Sequence, residues 1–144
     1  MTEELIRVLI CRVEQQPTVE DVPNKFETWQ KLVAAGDQSK GYVEFIRLSD
    51  DVVMIANEDG SYICPQNCYV PGLAPNVSLK DFDFVVGPRD MPPPGELGVH
   101  KTYGTIIIAK HTGNHQQPVS ITEEEAELWK RAIKFITDHI ESET

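Results

Sequence analysis

Residues 41–60 decide the fold and read GYVEFIRLSDDVVMIANEDG. Two runs rich in β-branched and aromatic residues, 42–48 and 52–57, lie on either side of a Ser-Asp-Asp turn at 49–51. Strands joined by so short a turn pair antiparallel by default. Residues 57–60, Asn-Glu-Asp-Gly, have turn chemistry and predict the end of the second strand. The stretch therefore predicts a β-hairpin that serves as scaffold for the rest of the chain.

The segment before the hairpin predicts a central strand, an edge strand and a helix. Residues 5–13 are largely apolar on both faces, which is typical of a central strand, and residues 18–22 predict a short edge strand. Asn24 is a favourable N-cap for the helix that follows, and Glu27 completes a capping-box-like pair. Gly36 is a natural end for this helix.

The segment after the hairpin alternates between strands and loops. Residues 61–63 predict a third short strand, whereas the prolines, glycine and asparagines of 64–80 predict a loop. Residues 81–86 predict a strand, and 103–109, the strongest β run of the chain, predict another. Between these two strands, 88–103 predict a long Pro/Gly-rich loop, and ordered loops of this length are often functional.

Residues 122–141 predict a C-terminal helix. Thr122 is its N-cap and Glu125 completes a capping box, while apolar residues at helical spacing, such as Trp129 and Ile133, form one stripe. Together the elements predict a single domain over residues 1–144 with an α+β fold. We expect a mostly antiparallel sheet of about five or six strands with two helices packed on one face.

The composition favours a folded protein in a reducing compartment. A chain of 144 residues, 40% of them hydrophobic, is long enough to bury a core as one domain. Its longest apolar runs hold four or five residues, far short of the roughly 20 that cross a bilayer, so no membrane association is predicted. The acidic N-terminus does not look like a secretory signal, and three cysteines do not make a disulfide framework. We expect a cytoplasmic protein without a cofactor.

The charge distribution distinguishes between classes of partner. A formal net charge of −10 argues against direct nucleic-acid binding, which needs cations to neutralise phosphates. Residues 88–118, however, hold three Lys or Arg, two Asp or Glu and three His, so this region is slightly basic within an acidic protein. An anionic small molecule is electrostatically favoured there.

Four residues are predicted to bind such a ligand, for example a nucleotide: Arg47 from the hairpin, and Arg89, Lys101 and Tyr103 from the long loop. The cations would hold phosphate by charge-assisted hydrogen bonds, and Tyr103 would stack on a base. No nucleophile motif and no phosphate-binding loop accompany these residues. We therefore predict no catalytic residue and do not expect an enzyme.

A zinc site is the alternative use of the cysteines and histidines. Cys64 and Cys68, like His111 and His115, are separated by three residues, which is a plausible ligand spacing on loops. The two pairs lie much farther apart than in compact zinc fingers, and a domain of this size needs no metal to fold. Half-buried cysteines and surface histidines are the favoured interpretation, and no metal is predicted.

Several short motifs resemble a family of small uncharacterised proteins carried mainly by phages and other mobile elements, known as a domain of unknown function. The motifs are IRVLI at 6–10, FETWQKLV at 26–33, GYVE at 41–44, NEDG at 57–60, Pro65-x-Asn67, DFVVG at 83–87 and GT at 104–105. The chain departs from the family pattern at Cys68, where the family has Arg, and in its longer link at 88–103. The resemblance implies a phage-type accessory protein in the host cytoplasm, without catalytic residues, and favours a role in counter-defence.

Three hypotheses about function follow. The first is a non-enzymatic, homo-oligomeric binding protein that sequesters an anionic small molecule, such as a nucleotide defence signal. The second is an acidic DNA mimic or decoy that binds a host DNA-binding or defence protein through acids such as Asp50, Asp51 and Glu123. The third is a small structural or regulatory phage protein with no small-molecule ligand.

Overall fold

The structure, a computed structural model, describes residues 4–34, 43–49, 51–73, 97–111 and 118–142. The strands within these residues are β1 (Leu5–Cys11), β2 (Thr18–Pro23), β3 (Val43–Arg47), β4 (Val52–Asn57), β5 (Gln66–Leu73), β6 (Leu97–Tyr103), β7 (Ile106–His111) and β8 (Pro118–Val119). The helices are α1 (Phe26–Val33), α2 (Gly60–Ile63) and α3 (Glu123–Ser142). The predicted α+β class with an antiparallel sheet is confirmed. No helix in this described part of the chain combines the length and apolarity needed to cross a membrane.

A six-stranded sheet forms the centre of the molecule. Its strand order is β2-β1-β7-β4-β3, and β8 also pairs with β7. The predicted hairpin is confirmed as β3 and β4, which pair antiparallel with Phe45 opposite Ile55. Strand β7 lies between the β1–β2 and β3–β4 hairpins, so Ile107 is opposite both Ile10 and Ile55.

The central strands are buried on both faces, and each face has its own helix. Val8 of β1 belongs to a buried cluster that contains Trp29 of α1. Leu9, the next residue, belongs to a second cluster that contains Trp129 of α3. Because neighbouring strand residues point to opposite faces, α1 and α3 cover opposite sides of the sheet. The expectation that both helices pack on one face is wrong, since apolar residues on both sides of β1, β4 and β7 require a cover on each side.

A second, two-stranded sheet consists of β5 and β6. The backbone N–H of Tyr69 in β5 donates to Thr137 Oγ1 of α3 at 2.9 Å, and Val70 is fully buried. The prediction of a loop over 64–80 is therefore wrong for 66–73. The turn residue Pro71 is tolerated in β5 because a two-stranded sheet leaves each strand an open edge that needs no N–H donor.

Two further strand boundaries differ from the prediction. Residues 60–63 form helix α2 instead of a strand, because the Asp59 carbonyl accepts the N–H of Tyr62 at 2.9 Å and winds the chain into one turn. Residues 97–103 belong to β6, so the C-terminal part of the predicted 88–103 loop is a strand. The predicted strand at 81–86 and the rest of the loop lie outside the described residues.

The predicted strand over 103–109 is interrupted where the chain passes from one sheet to the other. Gly104 has φ 71°, a conformation that glycine adopts without strain. Its N–H donates to the Pro65 carbonyl at 2.8 Å, and β7 begins only at Ile106. The strand is therefore divided, with Tyr103 in β6 and the Ile-rich segment in β7.

The predicted N-cap is confirmed for α3 and is wrong for α1. At α3, Glu125 N–H donates to Thr122 Oγ1 at 3.0 Å, and Thr122 N–H donates to Glu125 Oε1 at 3.1 Å, which confirms the capping box. At α1 the N-cap is Lys25, without a side-chain cap. The Asn24 amide instead donates to the Pro118 carbonyl of β8 at 3.0 Å, so this side chain is not available to cap α1.

Candidate functional site

A cleft of about 170 Å³ lies between the β3–β4 hairpin and β6. We refer to it as the β3–β6 cleft. Its lining residues are Glu44 and Ile46 of β3, Met54, Ala56 and Asn57 of β4, Glu58, Gly60 and Ser61 around α2, and Lys101, Thr102 and Tyr103 of β6. The cleft therefore brings a segment of the predicted long loop against the predicted hairpin.

The floor of the cleft is apolar. Ile46 and Met54 are cross-strand partners, as are Glu44 and Ala56, so all four residues are on the same face of the hairpin. Met54 is 2% exposed and Ala56 is 8% exposed. A flat apolar group could be desolvated against this floor without burying an unpaired polar atom.

Strand β6 supplies a cation and an aromatic ring on one wall. Lys101 and Tyr103 are two residues apart and so share a side of the strand, with Lys101 Nζ 5.9 Å from the centre of the Tyr103 ring. The side chain of Thr102 is buried instead and donates to the Cys68 carbonyl at 2.7 Å. This bond anchors the middle of the wall to β5.

The turn after β4 closes one end of the cleft. Asn57 Nδ2 donates to the Val33 carbonyl of α1 at 3.0 Å, and Asn57 Oδ1 accepts the Asp59 N–H at 2.8 Å. A Cβ atom at Gly60 would lie 3.2 Å from the Tyr103 carbonyl oxygen, so the absence of a side chain lets α2 approach β6 this closely. Asn57 was predicted as a turn residue, and its buried amide also ties the turn to α1.

The charged groups of the cleft have both signs. Among the described lining residues Lys101 is the cation, and Glu44 and Glu58 are carboxylates at the rim. Such a rim suits a ligand that presents hydrogen-bond donors on one side and an anion on the other. It does not suit a compact polyanion, because two carboxylates face one ammonium group.

The structure brings together two of the four residues predicted to bind the ligand. Lys101 and Tyr103 line the cleft, whereas Arg47 does not. Since Glu44 and Ile46 face the cleft, strand alternation directs Arg47 to the opposite face, where Nε donates to the Ser49 carbonyl at 3.2 Å. Arg89 lies outside the described residues.

The residues of the zinc alternative have separate partners. Cys64 lies against Gly104, and Cys68 Sγ is 3.6 Å from Thr102 Oγ1. His111 is at the end of β7, and His115 lies outside the described residues. No group of three or more His, Cys, Asp and Glu side chains in the described ranges is arranged to hold a metal ion.

A larger groove, of about 720 Å³, lies along the start of α3 and was not anticipated from the sequence. The described part of its lining holds two cations, Lys110 and Arg131. Lys110 is 3.0 Å from Glu125 and 3.6 Å from Asp51, measured from Nζ to carboxylate oxygen. The hydrogen bond with Glu125 raises the pKa of Lys110. Burial raises the pKa of Glu125, but the hydrogen bonds from Lys110 and Thr122 outweigh it and leave that pKa below its ordinary value. The Lys110 charge is thus engaged within the protein, and the glutamates that line the groove, Glu124, Glu125 and Glu127, outnumber these two cations.

No protein-family model, curated protein or solved structure matches the chain. Function is therefore inferred from the β3–β6 cleft and its residues.

Proposed function

We propose that the protein is a non-enzymatic binding protein that holds a small nucleotide in the β3–β6 cleft. The observation that supports this most is the pairing of Lys101 and Tyr103 on one wall, 5.9 Å apart from Nζ to ring centre, beside an apolar floor. An aromatic ring beside an apolar surface suits a base, and an adjacent ammonium group suits a phosphate.

The size of the cleft limits how much of the ligand it can enclose. Its volume of about 170 Å³ is below the roughly 300–1,000 Å³ of pockets that enclose a drug-sized ligand. We therefore infer that one ring enters, lies on Ile46, Met54 and Ala56, and contacts Tyr103 at its edge or face. The sugar and phosphate remain outside, with the phosphate next to Lys101.

The two carboxylates of the rim give the site a preference among bases. Glu44 and Glu58 can accept hydrogen bonds from an exocyclic amino group, which adenine, guanine and cytosine carry and uracil lacks. The same carboxylates and the net charge of −10 oppose each added phosphate. We expect adenosine monophosphate to bind more tightly than uridine monophosphate and than adenosine triphosphate.

Isothermal titration calorimetry at low salt tests this proposal with these three nucleotides. Lys101→Met should weaken binding of the monophosphate by tenfold or more, since a charge-assisted hydrogen bond is worth about 1.5–3 kcal/mol. Tyr103→Ala should weaken it by about fivefold to a hundredfold, since stacking is worth about 1–3 kcal/mol per base. Tyr103→Phe, which keeps the ring, should bind within a few-fold of the unchanged protein.

Lys31→Met is the matched control for the charge change. Lys31 is exposed on α1, which covers the other face of the sheet. The proposal fails if millimolar nucleotide produces no binding heat, or if Lys31→Met weakens binding as much as Lys101→Met.

An acidic decoy is the second candidate, and the groove at the start of α3 favours it. Glu124, Glu125 and Glu127 line this groove, and Glu124 and Glu127 are exposed. A basic protein bound there would dissociate as salt increases. The double substitution Glu124→Gln/Glu127→Gln should abolish capture of such a partner while leaving the calorimetric titration of nucleotide unchanged.

A further inference from the structure

Two of the three cysteines come together away from the β3–β6 cleft. Cys11 ends β1 in the main sheet, and Cys68 lies in β5 of the second sheet. Both line a cavity of about 160 Å³. The pair therefore lies where the two sheets meet, and both residues border the same space.

Hydrogen bonds that do not involve the two thiols keep Cys68 next to Cys11. Asn67, which precedes Cys68, donates its amide to the Cys11 carbonyl at 2.9 Å and to the Gly104 carbonyl at 2.7 Å. The N–H of Cys68 donates to Thr102 Oγ1 at 3.1 Å. The backbone at Cys68 is thereby fixed against the end of β1, and the two side chains have little freedom to separate.

The two thiols differ in exposure and in acidity. Cys11 is 2% exposed, whereas Cys68 is only partly buried. The side-chain hydrogen bond between them is the main cause that raises the pKa of Cys11, with burial adding to it. The same bond lowers the pKa of Cys68, and Thr102 contributes in the same direction against the effect of burial. Cys68 is thus the better nucleophile and Cys11 the partner behind it.

The cavity gives a small oxidant access to the pair. Lys134 and Asp138 form part of its lining, and their side chains are 66% and 62% exposed, so the cavity opens to solvent. A space of about 160 Å³ exceeds by far the roughly 10–15 Å³ of probe volume that one water molecule needs. A peroxide molecule, close to water in size and polarity, can therefore reach Cys68.

We propose that Cys11 and Cys68 are a redox-active dithiol, which hydrogen peroxide converts into an intramolecular disulfide. The Cys68 thiolate attacks one peroxide oxygen, the O–O bond breaks, and the leaving hydroxide takes a proton to give water and a sulfenic acid on Cys68. The Cys11 sulfur then attacks the Cys68 sulfur, its proton goes to the departing hydroxyl, and a second water leaves as the S–S bond forms. Two thiols and one peroxide give one disulfide and two waters. The product covalently ties β1 to β5.

Peptide mapping after peroxide treatment of the folded, full-length protein tests this proposal. After a stoichiometric dose, free thiols are alkylated in denaturant and peptides are separated without reductant. We expect a Cys11–Cys68 linked peptide, with Cys64 recovered alkylated and Cys68 oxidised at least tenfold faster than Cys64. Cys64→Ser is the matched control and should form the same link at the same rate.

Two single variants separate the steps. Cys11→Ser should stop the reaction at a sulfenic acid on Cys68 that dimedone traps, and Cys68→Ser should leave Cys11 reduced. The proposal is overturned if Cys64 is oxidised as fast as Cys68 in the unchanged protein. Equal yields of the linked peptide from folded and urea-unfolded protein also overturn it, and this comparison needs no variant to fold.

Discussion

At the scale of the residue, Gly104 is a position that tolerates a side chain poorly. It combines φ 71° with close packing, since a Cβ atom there would lie 2.9 Å from Cys64 Sγ and 3.0 Å from Cys64 Cβ. Its backbone is also bonded on both sides, to the Pro65 carbonyl and to the Asn67 amide. Any side chain at this position would therefore strain the backbone and would also clash with the Cys64 side chain.

Gly104→Ala should therefore lower the free energy of unfolding by about 1–3 kcal/mol, the usual cost of a strained left-handed residue. Removing the neighbouring sulfur in Cys64→Ala/Gly104→Ala should restore part of this loss, because the conflict with Sγ is relieved while the close contact with Cβ and the backbone strain remain. Urea unfolding of both single variants and the double variant gives the coupling as a double-mutant cycle. Additive losses in that cycle would show that Cys64 plays no part.

Single residues also show how far the sequence can predict the site. Lys101 and Tyr103 were predicted from residue type and share the cleft, because a spacing of two on a strand places side chains together. Arg47 has equally suitable chemistry but is on the other face, since Glu44 and Ile46 occupy the cleft side of β3. The alternation of side chains along β3 predicts that Arg47 and Ile46 are on opposite faces. It does not predict which face borders the cleft, because that depends on where β6 lies.

At the scale of the element, the start of α3 couples a helix cap to an ion pair. Glu125 accepts the Thr122 N–H and also binds Lys110 of the central strand β7. The pKa of Glu125 is below its ordinary value, so its carboxylate is stabilised more in the folded than in the unfolded protein. This contribution is present above the unfolded pKa and is lost as the pH falls through the folded pKa.

Glu125→Gln should thus be less stable than the unchanged protein by about 0.5–1 kcal/mol at pH 7, with the difference shrinking towards zero near pH 3. The amide keeps the capping bond but cannot pair with the Lys110 charge. Denaturant unfolding from pH 7 to pH 3 measures the difference. Glu127→Gln, an exposed glutamate on the same helix, is the control and should change stability by less than about 0.5 kcal/mol at either pH. A Glu125→Gln deficit that persists unchanged at pH 3 would contradict the assignment to the ion pair.

Elements whose signals are local were predictable, and elements that depend on distant partners were not. Helix α3 has its capping box and apolar stripe within its own sequence, so its bounds were predicted to within one residue. Strand β5 was predicted as a loop because Pro71 and Gly72 are typical of turns. It is a strand because β6 pairs with it and α3 packs against it, and neither interaction is visible in the local composition.

At the scale of the whole molecule, the net charge of −10 opposes the compact state. Added sodium chloride shortens the range of this repulsion, since the Debye length falls from about 10 Å at 0.1 M to about 3 Å at 1 M. We expect the melting temperature at pH 7.5 to rise by about 2–5 °C over this range, the shift that corresponds to about 1 kcal/mol.

The tryptophans of α1 and α3 allow this transition to be followed by fluorescence. Near pH 4.8, the isoelectric point, the increase should disappear because little net charge remains to be screened. Potassium chloride should give the same result as sodium chloride, which excludes a specific effect of sodium. A melting temperature that falls with salt at pH 7.5 would show that the attractive ion pairs outweigh the net repulsion.

The position of β7 in the sheet has a consequence for how the chain is made. Strands β1 and β4 pair with β7 and not with each other, although β7 is the last long strand of the sheet to leave the ribosome. A nascent chain that ends before Ile106 contains two hairpins in which the apolar strands β1 and β4 each have an edge without a pairing strand. The sheet cannot be closed until about residue 111 has emerged, and until then these edges can join those of another copy. Translation speed and chaperone supply should therefore affect the yield of this protein.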